Sequence, residues 1–387
     1  MESREHALPI ENRLRSRRQA ACLSQQELAR RCGMTRQAMN AIEAGHYVPS
    51  TLVAMRLAKA LGCRVEDLFR LAEASQQVEA EWLDGPAGAD VERTRVQLAR
   101  VGSRLLARPL TGTMTFTAAD GQTLTVERPP RARQVVRPRV TVDLWVDADL
   151  PDRTLIVLGC DPALALLSAH LTRRYPAFRL IWVQSSSLVA LRRLGRGEAH
   201  AAGTHLWDPD VGEYNVPYVQ RELSGQRLVI VTLSEWQQGL IVGPGNPKGI
   251  AGPADLARAD ITMVNREPGS GGRTMLDLWL KQGGIATTQV HGYGSEVFSH
   301  LEVADAVARG QADTGPGIMA VARALGLDFI PIQEERYDLV IPQAFLNTPA
   351  VQAMLDVVVS RPFQEELVAL GGYDGSKAGT VVAELAS

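Results

Sequence analysis

Between Leu23 and Phe69 the chain is a run of short helical patterns, the central ones opened by a hydroxyl residue and stopped by a glycine. This punctuation constrains the fold more than any other feature. Ser24-Gln25-Gln26-Glu27 has the capping-box spacing, in which the Ser oxygen accepts from the Glu27 amide and the carboxylate reaches back. Leu28 and Ala29 give that helix its inner face, and Gly33 supplies the left-handed residue that ends it. Thr35 caps a third helix over 36–43, closed by Gly45. Pro49-Ser50 opens a fourth over 51–61, with Leu52, Met55, Leu57, Ala58 and Leu61 as apolar positions and Gly62 as its stop. Residues 10–21 read as an amphipathic, arginine-rich first helix, and residues 65–69 as a short fifth.

Helix, tight glycine turn, helix is the order of a helix-turn-helix. The string from Leu23 to Phe69, with SQ-x-ELA, the turn Gly33, IE-x-G, PS and the closing EDLF, resembles the Xre/lambda-repressor-like family. The resemblance implies which residues meet double-stranded DNA. Gln25 opens the second helix and would bond a phosphate. Thr35, Arg36, Gln37 and Asn40 lie at the start and on the exposed face of the third. Arginine can fork onto guanine O6/N7, and Gln or Asn onto adenine N6/N7. Arg13, Arg15, Arg17 and Arg18 are candidate phosphate contacts, and Glu43 is structural in this resemblance.

Charge distribution fits that assignment. The net charge of −2 hides a basic start: residues 1–73 carry 12 Lys+Arg against 8 Asp+Glu, and the remainder is net −6. A basic head can meet phosphates while an acidic body need not. The polar opening MESREHALPIENRLRSRR has no apolar core of a secretory signal, and no apolar run is long enough to span a membrane. The expected location is the cytoplasm, with no membrane partner. The four cysteines, Cys22, Cys32, Cys63 and Cys160, form no C-x-x-C pair. They read as buried free thiols in a reducing compartment, with no metal site and no cofactor.

Residues 74–150 read as a linker and small β subdomain. Asp84-Gly85-Pro86-Ala87-Gly88 is linker by composition. Residues 95–101 alternate with period two, as a strand does. Residues 114–117 and 124–126 flank Asp120-Gly121, a hairpin-turn signal. The basic stretches 129–133 and 137–139 read as a stiff linker that can also touch phosphates.

From Arg153 the pattern becomes α/β. Residues 154–159 form a buried strand; Asp161-Pro162 is a helix start signal. Residues 180–183 are a second strand ending in Gln184-Ser185-Ser186-Ser187, and 199–203 a third. Strand, helix, strand at this spacing means a parallel sheet. Later, Pro268-Gly269-Ser270-Gly271-Gly272-Arg273 opens a helix and exposes several amides, an anion cradle by helix-dipole logic. In order, GCDPALALL, SSSLVAL, AGTHLWDPDVGEYN, QGLIVGPGNPKGI, VNREPGSGGRTMLD and DAVARGQADTGPGI resemble the periplasmic-binding-protein-like domain fused to regulators and to molybdenum-cofactor proteins. Where that family's loop more often reads Gly-Ser-Gly-Thr-Arg, this chain has Gly272 in place of the Thr.

The fold expected is therefore multidomain: an all-α helix-turn-helix head (1–73), a small β connector (74–150) and a two-lobed type II periplasmic-binding-protein-like α/β body (151–387). Its crossover strands near 239–242 and 339–342 are the expected hinges. The candidate ligand residues are Asp161, Ser185, Ser186, Ser187, His205, Ser270, Gly271, Arg273 and Ser299, with His300 a further possible contact. Hydroxyls, amides and Arg273 suit an oxyanion, and the resemblance to domains found with molybdenum-cofactor proteins implies one of molybdate or tungstate type. Asp161 reads first as an N-cap turned into its own helix; if instead it faces the cleft, a ligand with donors, such as a larger molybdenum-cofactor-related metabolite, gains weight. For Arg273 the alternative is a pair with Asp277 one turn on. A hydrolase tethered to DNA is the remaining alternative: Ser186, His205 and Asp208 make a triad on paper, but there is no G-x-S-x-G or H-E-x-x-H, and no catalytic residue is assigned. A single head reads only a few base pairs, so a homodimer or higher homo-oligomer is expected.

Overall fold

The computed structural model describes residues 10–71, 76–83, 93–127 and 137–386. The linker signal at 84–88 and the basic stretch at 129–133 lie outside the described residues. Two compact units emerge: residues 1–78 with 143–145, and residues 79–142 with 146–387.

In the first unit, helices α1 (Leu14–Ala20), α2 (Gln25–Cys32), α3 (Arg36–Glu43) and α4 (Thr51–Leu61) pack around Leu14, Leu28, Met39, Ile42, Leu57 and Leu68. The caps follow the sequence signals. Ser24, Thr35 and Ser50 accept from the amides of Glu27, Ala38 and Val53, and Gly33 and Gly62 are left-handed, at φ 69° and 65°. Three expectations need correction. The first helix begins only at Leu14, because Ile10–Asn12 is a strand paired antiparallel with Phe69–Leu71. That pairing reduces the fifth helix to a single 3-10 turn, Val65–Asp67. On α4, Leu52 and Met55 are 59% and 60% exposed; the buried face is Ala54, Leu57 and Ala58, one stripe at i, i+3, i+4 spacing.

The β segment closes into a five-stranded barrel: Gln76–Trp82, Arg104–Pro109, Arg95–Val101, Gly121–Glu127 and Arg139–Leu144 in neighbour order. The expected hairpin at Asp120-Gly121 does not form. Gly112–Met114 is a 3-10 turn, and Asp120 turns inward, accepting from the Leu98 amide at 2.7 Å and from Arg179 at 2.6 Å. A two-residue turn would have left this carboxylate in solvent; here it ties barrel to body. Arg104 adds bonds to the Arg196 and Gly197 carbonyls, and Arg137 pairs with Glu198. His200 completes the joint. Its Nδ1 accepts from the Ile156 amide at 3.0 Å, while Nε2 lies 3.0 Å from the Arg100 carbonyl. Burial lowers the His200 pKa to about 4, with the Arg100 carbonyl opposing, so the ring is neutral and Nε2 donates.

The body is built on an eight-stranded sheet. Thr154–Gly159 runs parallel to Arg179–Gln184 and to Ala201–Thr204, as the strand-helix-strand spacing predicts. Helices α5 (Ala163–Arg174) and α6 (Ser187–Gly195) make the crossovers. Two 15-residue strands, Leu228–Val242 and Asp328–Pro342, pair antiparallel along their length and run from the first lobe into the second. Their register shifts at Thr232/Ser234 and at Gln238/Gly239. Helices α7 (Val216–Glu222), α8 (Gly271–Gln282) and α9 (His300–Ala308) follow, the last two in the second lobe, whose core is Leu240, Met263, Leu276 and Trp279. The lobes are closed on each other: the Leu188 amide donates to the Gly269 carbonyl at 3.2 Å, and Gln184 Nε2 to the Phe298 carbonyl at 3.0 Å.

Candidate functional site

Two regions carry chemistry, one in each unit. In the head, Met39 and Ile42 of α3 face the core, which leaves Arg36, Gln37 and Asn40 exposed on the opposite side. Thr35 uses its hydroxyl as the N-cap. Gln25 Nε2 reaches Asn40 at 3.3 Å and Glu43 at 2.9 Å, so α2 and α3 are cross-braced at this surface. Glu43 is fixed by Arg18 at 2.6 Å, with both side chains nearly buried. Burial alone would raise the Glu43 carboxyl, but hydrogen bonds from Arg18 and Gln25 outweigh it and hold the group below the usual carboxylate range. Arg18 is thus part of the fold's interior wiring.

In the body, the first turn of α8 lies against the end of the Ala201–Thr204 strand. A Cβ on Gly271 would run into the His205 ring and carbonyl; one on Gly272 would face Gln238, Arg266 and His300. Glycine at 271 is what lets the second lobe's backbone approach so closely. Around this contact the chain buries a dense polar set. Asp161, Gln238, Arg266, His300 and Tyr337 are 0% exposed and His205 and Glu335 1%. Trp236 packs edge-on to His205 with ring centroids 4.9 Å apart, and His300 lies 6.0 Å from both.

Several of these groups have no hydrogen-bond partner: Asp161 Oδ2, both amide atoms of Gln238, Arg266 Nη1, both ring nitrogens of His300 and Glu335 Oε1. An unpaired buried polar group costs about 1–3 kcal/mol, and more if charged. A protein rarely tolerates many, and so many at one spot mark a place where something else supplies the partners.

The electrostatics are specific. Asp161 Oδ1 accepts from Tyr373 OH at 2.6 Å and from the Ala163 amide at 2.9 Å, yet burial pushes its pKa up to about 6. His205 has Glu335 on Nδ1 at 2.8 Å and Cys160 Sγ 3.2 Å from Nε2, and Glu335 is held in turn by Trp236 Nε1 at 3.0 Å. Burial would lower His205, but the charges of Cys160 and then Glu335 overcome it and raise the ring to about 10. His300 moves the other way: burial first, then Arg266 and His205, push it well down and keep it neutral. Arg266 pairs with Glu267 at 2.9 Å. The carboxyl groups of Asp161, Glu335 and Glu267 are therefore met by two cations, Arg266 and the protonated His205 ring.

Of the ligand residues expected from sequence, Asp161, His205 and Gly271 come together here. Ser187 accepts from the His205 amide at 3.3 Å, and Ser185 and Ser186 are buried beside it in sequence, the Ser185 hydroxyl without a partner. Ser270 and Ser299 use their hydroxyls as N-caps, toward the amides of Arg273 and Glu302. Arg273 pairs with Asp277 at 3.3 Å and Glu296 at 3.2 Å and stacks over Tyr293. The paper triad is not assembled: the carboxylate on His205 is Glu335, while Asp208 accepts from the Asp210 and Val211 amides and pairs with Arg221. Sequence reasoning missed Cys160, Trp236, Gln238, Arg266 and Glu335. The available signal was the polar interruption 333–336 inside an otherwise apolar strand pattern. Of the cysteines, Cys32 and Cys160 are buried, but Cys22 is exposed and Cys63 only half-buried, which corrects the reading of all four as interior.

A head with an exposed, capped helix-turn-helix and a body of two lobes closed on a polar core defines a two-part protein, one part shaped for DNA and the other for a small ligand. Family models agree, matching a helix-turn-helix domain over residues 14–68 and a PBP superfamily domain over 168–359. The chain is 36% identical over 230 residues to the protein YvgK of Bacillus subtilis, covering 59% of this chain and 74% of that one, and it belongs to that family. The head is 41% identical over 64 residues to the HTH-type transcriptional regulator YgzD of Bacillus subtilis, which is 16% of this chain and 97% of YgzD. Among solved structures, the sulfate-binding protein SubI of Mycobacterium tuberculosis H37Rv matches at 14% identity and a TM-score of 0.43, over 57% of this chain and 86% of SubI.

Proposed function

We propose that this chain is a cytoplasmic transcription regulator that binds double-stranded DNA through α3 and changes its operator affinity when a small ligand enters the cleft at Gly271. The observation that carries the reading is the cluster of buried, unpartnered polar atoms in the body of a chain that also presents a helix-turn-helix surface. The regulator name of the head's relative supports the DNA-binding half. Operator recognition by one short helix calls for a homodimer or higher homo-oligomer on a symmetric or repeated site. The body binds and does not catalyse.

The buried carboxylates favour a ligand that brings donors or positive charge over a free molybdate-type dianion. The oxyanion remains the second reading, favoured by Arg266 Nη1 and the Ser185 hydroxyl as unused donors. The test is to select an operator from random duplexes with the full chain. Operator affinity is then measured with molybdate, tungstate, sulfate, phosphate, metal ions and polar metabolites. A change with one of them supports the sensor reading. Operator binding indifferent to all, together with no thermal stabilisation by any, counts against it.

A further inference from the structure

We propose that Cys160, His205 and His300 form a transition-metal site of zinc class in the cleft, with Glu335 positioning His205. This rests on the reading of the cleft as a ligand site and names the chemistry of what it takes.

One ligand atom from each of Cys160, His205 and His300 lies within 4.8 Å of the others, and all three residues are buried. Zinc holds thiolate sulfur at about 2.3 Å and imidazole nitrogen at about 2.0–2.1 Å, so a tetrahedral sulfur–nitrogen pair sits about 3.6 Å apart. The Cys160 Sγ to His205 Nε2 separation of 3.2 Å and the 4.8 Å envelope bracket that spacing, and side-chain adjustments of a few tenths of an ångström to about 1 Å close it.

Three further features fit a metal better than an internal hydrogen-bond network. His300 is fully buried with neither ring nitrogen bonded, an arrangement with a cost and no return until a Lewis acid or donor arrives. His205 turns its other nitrogen to a carboxylate that Trp236 anchors, the orienting partner that metal-bound histidines carry. With His205 neutral, as a metal-bound imidazole is, the carboxyl groups of Asp161, Glu335 and Glu267 outnumber the Arg266 guanidinium among the described residues around the site. A divalent cation with one thiolate offsets part of that excess; a dianion would add to it. Three protein ligands leave a fourth position open, as in sites that also take a water or a small coordinating ligand. The chain separation explains why no spacing motif announces the set: Cys160 and His205 are 45 residues apart and join only through the sheet.

The probe is zinc alone, titrated against a competing chelator on the chelator-stripped full chain, with cobalt as the optical reporter. Wild type should take up one zinc per chain in the cleft and, with cobalt, give a thiolate-to-metal charge-transfer band. Cys160→Ser and His300→Gln should each weaken zinc binding by more than the roughly 10–100-fold expected for Glu335→Gln, and Cys160→Ser should abolish the band. Cys22→Ser with Cys63→Ser in the head should change neither. Circular dichroism checks that each variant folds; if Cys160→Ser does not, His300→Gln carries the test. No uptake by wild type, or uptake and band unchanged in both site variants, overturns the metal site. Zinc uptake lost in the variants while operator affinity ignores zinc would keep the site and sink the sensor reading. Absent uptake, with operator affinity answering to another ligand, would do the reverse.

Discussion

At the scale of single residues, Gly271 shows how the body closes. Its position at the start of α8 leaves no room for a methyl group against His205, whereas a Cβ on Gly294 meets nothing within 4 Å. Gly271→Ala should therefore lower the stability of the closed body by about 1–3 kcal/mol, the usual cost of overpacking. Gly294→Ala should stay within about 0.5 kcal/mol, as surface changes do. Thermal melts of the two full-length variants make the comparison, and coincident melts would mean that α8 does not press on His205. The same contact explains a limit of sequence reading. Gly-Ser-Gly at a helix start looked like an anion cradle by its amides, and the amides are there. Which side chains face them depends on Gln238, Arg266 and His300, which arrive from other strands and a helix and carry no local pattern.

At the scale of elements, what was legible was what local chemistry decides. Helices capped by Ser24, Thr35 and Ser50 and stopped by Gly33 and Gly62 begin and end where those residues say, because capping needs only near neighbours. What was not legible needed a tertiary partner: Ile10–Asn12 becomes a strand because Phe69–Leu71 pairs with it, and Asp120 leaves its turn because Arg179 waits for it. The reading helix gives a direct test. Arg36→Ala and Gln37→Ala should each cost roughly 1–3 kcal/mol on a selected operator and little on random duplex, measured by titration at one fixed salt. Equal losses on both would reassign these residues to phosphate contacts.

The joint between barrel and body makes a prediction in pH. His200 is neutral when folded, with a pKa near 4 against an ordinary value of 6.5. Above pH 6.5 neither state binds the proton and the joint is at full strength. As pH falls from 6.5 toward 4, the unfolded chain takes up a proton that the folded ring refuses, so stability declines through that window, by about 3 kcal/mol if the whole shift is realised. Below about pH 4 this contribution no longer changes. His200→Gln removes the titrating group and should flatten that part of the stability–pH curve in urea titrations, although its absolute stability is lower. A curve with the same slope in the variant would assign the acid sensitivity elsewhere.

At the scale of the whole molecule, a sensor requires that cleft and head share one equilibrium. The long strands Leu228–Val242 and Asp328–Pro342 link the two lobes, and their register breaks at Thr232/Ser234 and Gln238/Gly239 flank Trp236 and, across the pair, Glu335. A ligand that binds among these residues has different contacts when the lobes are open and when they are closed, which is the requirement for it to shift a population. If head and body are coupled by about 1–3 kcal/mol, a saturating ligand changes operator affinity some five- to 150-fold. Linkage then demands the converse: operator DNA must change the affinity of the same ligand by the same factor. Zinc is the first ligand to try, followed by the oxyanions, each titrated with and without a saturating operator duplex under identical salt. Matching factors in the two directions would join the cleft to the head in one thermodynamic cycle. Ligand affinity untouched by operator, with DNA affinity untouched by ligand, would leave two independent binding functions on one chain.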